Sequence, residues 1–377
     1  MERRLPRRLA RWSDLLIVTG VLVVCGFLIA WSGVYNVAAS RGHWPIVERL
    51  LAFSMRNSVE ARANFVGSPP RFSPDLVRLG AAHFHGGCAY CHGAPGQPSG
   101  QVAQHMLPPP PDMAVVASHW NERELFWIVK HGIKYTGMPA WVSQTRDDEV
   151  WAVVAFLRQI SALDPQIYRE LAVGDLEIAV PSGRDLATRE AATEAVSACG
   201  RCHGAEAHGP KSRLVPVLHG QTSEFLMISL GDYAAGRRES GIMQPIAAAL
   251  NLAEMRKVAS YYAALDPPRA AARDPADADA VERGRLLASQ GEAHAQIPPC
   301  MACHGGTGLD AYPRLVGQSA PYIAGQLRLL RAAVSRRSPA GGIMIPIARR
   351  LSDRQIDDVA AFFASFAVRE GGEETGQ

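Results

Sequence analysis

Apolar positions divide the chain into one unbroken run and a series of short amphipathic segments. Leu15 to Trp31 carries no charge. Its seventeen residues would rise about 25 Å as a helix, near the lower limit for crossing a bilayer. Trp12, Trp31 and Tyr35 stand at its ends, where interfacial aromatics belong. Next, Ile46, Leu50, Leu51, Met55 and Val59 follow loosely helical spacing up to Phe65, which predicts an amphipathic connector on the membrane or on the first domain. Ser68-Pro69-Pro70 ends it.

Helical patterns continue beyond. Asp75 to Phe84 predicts a helix with Gly80 and Phe84 on one face. Asn121 with Glu124 predicts a capping box, followed by Leu125, Ile128 and Val129 on a shared face and by Gly132 as the stop. Asp147 to Ile160 turns Val150, Val153, Val154 and Leu157 inward, and Leu163-Asp164-Pro165 closes this stretch. Ser352 with Gln355 caps a last helix bearing Phe362-Phe363, and Tyr261-Tyr262 marks an equivalent helix earlier. The segments read here are all helical, in keeping with an all-α fold.

Three pentapeptides add chemistry to these helices: Cys88-Ala89-Tyr90-Cys91-His92, Cys199-Gly200-Arg201-Cys202-His203 and Cys300-Met301-Ala302-Cys303-His304. Each is Cys-x-x-Cys-His, the attachment signature of c-type haem. The two thiols suit covalent attachment to the vinyl groups of one porphyrin, and the histidine suits the iron. A shuffled chain would hold ~0.004 such motifs. Zinc would need four converging ligands, and a thioredoxin-like pair has no use for a histidine after it each time. Three covalently bound haem c groups are therefore expected on Cys88, Cys91, His92, Cys199, Cys202, His203, Cys300, Cys303 and His304. Cys25, the seventh cysteine, falls in the apolar run and is taken as a small apolar residue.

The second and third motifs lie in a repeat. Cys199 to Cys300 and Met243 to Met344 both span 101 residues, while Gly220-Gln221 matches Gly317-Gln318 at 97. Conserved ends with variable loops are what two folded units of one type produce. The expected organisation is a basic segment and transmembrane anchor over 1–40, a connector over 41–72 and a first domain over 73–168. A linker over 169–182, a second domain over 183–267 and a linker over 268–280 follow. A third domain over 281–368 and a disordered tail over 369–377 complete the chain.

Charge then decides topology. Residues 1–14 hold five arginines against Glu2 and Asp14, which accounts for the whole net charge of +3. By the positive-inside rule this places the N-terminus in the cytoplasm of a bacterial inner-membrane protein, with the haem domains periplasmic. A cleaved signal peptide ending at Val37-Ala38-Ala39 is the rival reading, and the long apolar stretch favours the uncleaved anchor. The remainder is neutral, so nothing suggests nucleic-acid binding. Residues 281–368 carry ten arginines against six acids. These either offset haem propionates or dock an acidic partner.

The sixth iron ligand decides carrier against enzyme. Met138, Met243 and Met344 lie 46, 40 and 40 residues after their histidines, each beside or one residue from a proline expected to hold an extended loop. Methionine keeps the iron closed and raises its potential. The first domain offers competitors in Met106, Met113, His105, His119 and His131. His83 and His85 precede their motif too closely to reach the far face, and His208, His219 and His294 are taken as surface or propionate-contacting residues. A carbonyl near Pro216, Pro313 or the run Pro108 to Pro111 is expected to hold each proximal imidazole.

On these motifs the chain resembles class I cytochrome c domains three times over. The second and third domains resemble the di-haem cytochrome c4 pair, and the first, with Gly137-Met138-Pro139-Ala140-Trp141, resembles a separate mono-haem branch. Ser229 stands where the third domain has Gln326. The resemblance implies an electron carrier and not an enzyme, moving single electrons between respiratory-chain partners such as a quinol-oxidising complex and a terminal oxidase. The alternative is the cytochrome subunit of a periplasmic alcohol or aldehyde dehydrogenase. A haem enzyme with one open iron is the third possibility.

Overall fold

The computed structural model describes residues 12–174, 191–268, 277–305, 309–332 and 339–366. The N-terminal arginines, most of both linkers, the tail, Arg336 and Arg337 lie outside the described residues. Among the described residues the regular structure is helical, with only isolated bridges besides.

Helix α1 (Trp12–Ser32) contains a 19-residue apolar stretch, Asp14–Ser32, with mean hydropathy 2.5 and no buried part. Helix α2 (Pro45–Ala63) starts with proline at its first turn and buries Val59 and Ala63. It packs on α4 (Glu122–His131), and Arg56 lies over the Trp120 ring at 5.2 Å.

The N-terminal unit is built on α3 (Pro74–Gly87), α4, α5 (Asp147–Leu157) and α6 (Pro165–Ala172). Ser73 caps α3 by accepting from Leu76 N–H. The Asn121–Glu124 capping box forms, and Gly132 ends α4 at φ 63°. Gly80 lets α3 cross α5 closely, because a Cβ there would overlap the Ala152 carbonyl. Asp164 caps α6, which places Tyr168, Ala172 and Val173 in the same core. Residues expected to begin a linker thus continue the unit, since Asp-Pro is also a helix start.

The middle unit comprises α7 (Ala191–His203), α8 (Ser223–Ala234), α9 (Met243–Ala248) and α10 (Leu252–Ala264). Its buried side chains form two small clusters, one around Tyr262 and one around Leu230 and Met255. In the C-terminal unit, α11 (Ala278–Gln290) crosses α14 (Asp353–Ser365), with α12 (Ala320–Ala332) and α13 (Pro339–Arg350) against them. Gly284 permits that crossing as Gly80 does in the first unit, since a Cβ would overlap the Asp358 carbonyl.

The units are joined through specific bonds. Gln221 Nε2 donates to Arg314 O at 2.8 Å and its Oε1 accepts from Arg314 N–H at 3.0 Å. Gln318 reciprocates on Val217, at 2.6 and 3.0 Å. The repeat pair Gly-Gln is therefore a two-way clamp between the middle and C-terminal units. Asp75 of the N-terminal unit takes both the Nε (2.8 Å) and the backbone N–H (2.9 Å) of Arg213, whose carbonyl accepts from Ser319 of the C-terminal unit.

Candidate haem sites and their methionine loops

Each motif sits on a helical turn: Ala89–His92 after α3, the end of α7, and Met301–His304. The turn places the two cysteines and the histidine along one short stretch of backbone. After His203 the chain must reverse at Gly204, φ 75°, where any Cβ would overlap the His208 carbonyl.

All three histidines are oriented alike. His92 Nδ1 donates to Pro111 O at 2.9 Å, His203 Nδ1 to Pro216 O at 3.0 Å, and His304 Nδ1 to Pro313 O at 2.9 Å. A proline carbonyl on Nδ1 fixes the tautomer and leaves Nε2 as the ligating nitrogen. In the first unit the structure selects Pro111 from the four-proline run. Burial holds His203 and His304 below the ordinary imidazole value, against the opposing effect of the carbonyl bonds. Neutral imidazole is the form that binds iron.

The first cysteine of each motif is partly buried. Burial, followed by the neighbouring motif cysteine, pushes Cys88 up to about 12. Burial likewise raises Cys199 to about 11 and Cys300 to about 11. Each pair of cysteines shares one short turn with its histidine, which suits attachment of one porphyrin per motif. His219 strengthens that fit: it is buried against Tyr262, and neither ring nitrogen has a hydrogen-bond partner. It was expected at the surface or on a propionate, and burial excludes the surface; the Leu-His-Gly context carried no period that would have signalled this.

The aromatic pair of α10 has a definite task. Tyr262 Oη donates to Gly204 O at 2.7 Å, and Tyr261 Oη accepts from Glu206 N–H at 3.1 Å. The final helix thus holds the loop behind the second motif. Phe362 and Phe363 occupy the matching helix through packing alone.

The methionines depart from one expectation. Met138 lies in a loop, but Met243 opens α9 and Met344 lies within α13. Pro245 sits in the first turn of α9, where a missing N–H costs nothing, so proline does not enforce an extended loop there. Pro346 is accommodated inside α13. Each of the three is partly buried. Among the competitors, Met106 Cε lies against Gly137, beside Met138, whereas Met113 packs into the core. His105, His119 and His131 are exposed, as are His208 and His294.

Two further histidines lie near the first motif. His83 stacks edge-on to Trp141 at 4.7 Å and His85 bonds Tyr168 Oη at 3.0 Å. Burial and then the charge of Arg201 hold both down at about 4. Arg201 is an interior residue of the second motif, so that motif faces the N-terminal unit. Glu149, unremarked in the acidic start of α5, is the other residue the sequence does not single out; its carboxylate is buried between units.

Comparison with known proteins agrees with this picture. Residues 75–157 match the family described as "Cytochrome C oxidase, cbb3-type, subunit III", and residues 288–367 match "Cytochrome c". A "Thiosulfate dehydrogenase electron acceptor" from Stutzerimonas stutzeri is 38% identical over 194 residues, 51% of this chain and 89% of that protein. A cytochrome c4 from Thiocapsa roseopersicina is 32% identical, covering 49% of this chain and 95% of its own. The cytochrome c4 structure from Acidithiobacillus ferrooxidans aligns with TM-score 0.40 and 31% identity, over 44% of this chain and 97% of that one. The chain belongs to the class I c-type cytochromes, as a multi-haem electron-transfer member related to cytochrome c4.

Proposed function

We propose that this chain is a membrane-tethered tri-haem carrier with one haem c in each of three domains. Cys88 and Cys91, Cys199 and Cys202, and Cys300 and Cys303 hold the porphyrins. His92, His203 and His304 would each hold an iron, with Met138, Met243 and Met344 as the second protein ligands. The observation that carries this is the triple repetition of one imidazole geometry, Nδ1 on a proline carbonyl and Nε2 left for metal. The haem supplies a one-electron Fe(II)/Fe(III) couple; the chain fixes the imidazoles, partly buries the first thiol of each motif and closes the sixth position. Intact mass of the purified full chain tests the count, with three covalent haem additions expected and two or fewer contradicting it.

The electron donor is a periplasmic dehydrogenase, and the relatives named as thiosulfate dehydrogenase electron acceptors favour thiosulfate oxidation over the alternative of alcohol or aldehyde chemistry. A terminal oxidase or quinol-linked complex is the partner at the other end. Mixing the oxidised full chain with a thiosulfate dehydrogenase and thiosulfate should reduce its haems; no reduction would exclude that donor. The C-terminal arginines offer less to a partner than their number suggests. Arg328 pairs with Asp357 at 2.7 Å and Arg331 pairs with Asp353, so their charge is met locally.

The anchor reading is supported by α1 and by α2. Ile46, Leu50 and Phe53 are exposed on the side of α2 away from Val59 and Ala63, an apolar stripe adjoining the span. The N-terminal domain is then the membrane-proximal one.

A further inference from the structure

We propose that Glu149 is a positioning residue that ties the Met138 loop and the Met243 turn into one junction, so that iron ligation in the first and second domains is coupled. This rests on the assignment of those two methionines as ligands.

The carboxylate comes from α5 of the N-terminal unit and is almost wholly enclosed, at 3% side-chain exposure. Four donors converge on it. Arg146 Nη1 (2.9 Å) and Ser240 Oγ (2.6 Å) reach Oε1. Gly241 N–H (2.6 Å) and Trp141 Nε1 (3.3 Å) reach Oε2. Two donors are therefore local and two come from the middle unit. A buried carboxylate so saturated is held to one geometry.

What distinguishes this from general interface glue is where the bonds end. Trp141 is three residues after Met138, and its own backbone N–H is tied to Lys130 O at 2.9 Å. The Met138 carbonyl accepts from Ile133 N–H at 3.3 Å. On the other side Ser240 Oγ, while donating to Glu149, accepts from Met243 N–H at 2.9 Å. The network thus runs from the Met138 loop through one carboxylate to the backbone of Met243. Gly241 is needed for the approach, since a Cβ there would overlap the Trp141 indole. Arg146 Nη1 also reaches Glu239 O at 2.9 Å, and Thr145 Oγ1 bonds the Glu239 carboxylate. Ile242 completes the contact by packing against the N-terminal core.

A rigid junction of this kind makes one domain sensitive to its neighbour, because either loop can move only if the shared carboxylate lets go. The middle and C-terminal units are clamped by Gln221 and Gln318 near the proximal carbonyls, and Arg238 also reaches Tyr322. Neither contact joins the Glu149 carboxylate to Met344, so the third site should respond less to Glu149 than the first two.

The test uses the haem-loaded, reduced full chain in detergent. Methyl groups of iron-bound methionines give NMR signals displaced by the haem ring current, and M344A assigns the third by its loss. In Glu149→Gln the Met138 and Met243 signals should both shift further than that of Met344. Ser240→Ala, a change in the second domain alone and the milder variant should the first not fold, should also shift the Met138 signal. Three wild-type signals with each substitution felt only in its own domain, or with Met344 moving equally, would overturn the junction alone. Absence of the Met138 or Met243 signal from the wild type would overturn the ligand assignment, and the junction with it.

Discussion

At the scale of single residues, the chemistry is set by what surrounds each imidazole and each thioether. A histidine bound through Nε2 and steadied through Nδ1 is a stronger, better-oriented ligand than one left to rotate. Methionine opposite it favours Fe(II) and shuts out exogenous ligands. Met243→Ala should therefore lower the potential of one haem and leave its reduced iron open, read as CO binding at one equivalent per chain. The three Cys-x-x-Cys-His motifs and the methionines proposed as ligands were legible in the sequence as candidates, the motifs because their spacing carries attachment chemistry. Glu149 and Arg201 were not, since an acidic helix start and a variable motif position have bland local meanings. Only the packing of one unit on another gives them partners.

At the scale of elements, helix crossings and caps account for the shape of each unit. Gly80 and Gly284 lie where α3 meets α5 and α11 meets α14, with a neighbouring carbonyl occupying the place of a Cβ. Alanine at either should cost about 1–3 kcal/mol through overpacking. For a unit of this size that lowers the thermal midpoint by roughly 4–8 °C per kcal/mol, measurable by circular dichroism. Titration adds a second prediction for α3. His83 and His85 have folded values near 4, held down first by burial and then by Arg201, against 6.5 when unfolded. The unfolded chain thus takes up more protons between these values, so their contribution to stability is present above pH 6.5 and is lost as pH falls towards 4. Melting at pH 7, 5.5 and 4 should show that decline, and Arg201→Gln should make it shallower. The capping boxes at Asn121 and Ser352 were readable from sequence. The helical setting of Met243 and Met344 was not, because a nearby proline suggests extension, whereas Pro245 fits a first turn and Pro346 lies inside α13.

At the scale of the whole molecule, different junctions connect three units, and Arg213 adds a link that reaches both Asp75 and Ser319. The N-terminal and middle units meet through methionine-bearing segments, and the middle and C-terminal units through paired glutamines beside the proximal carbonyls. The Gly-Gln repeat was legible as an internal duplication, but not as a clamp, since a repeat reports common descent of two units and says nothing of how they dock. Substituting both glutamines, Gln221→Ala with Gln318→Ala, removes four inter-unit hydrogen bonds, each worth about 1 kcal/mol net. Calorimetry should then resolve separate transitions for the two units, and an unchanged profile would contradict the clamp. The claim on which everything else depends is that all three irons are closed by methionine and serve transfer alone. A CO titration of the fully reduced, detergent-solubilised full chain tests it most directly. Three haems per chain with no CO-induced spectral change are expected, and a change saturating at one CO per chain would overturn closure of all three irons.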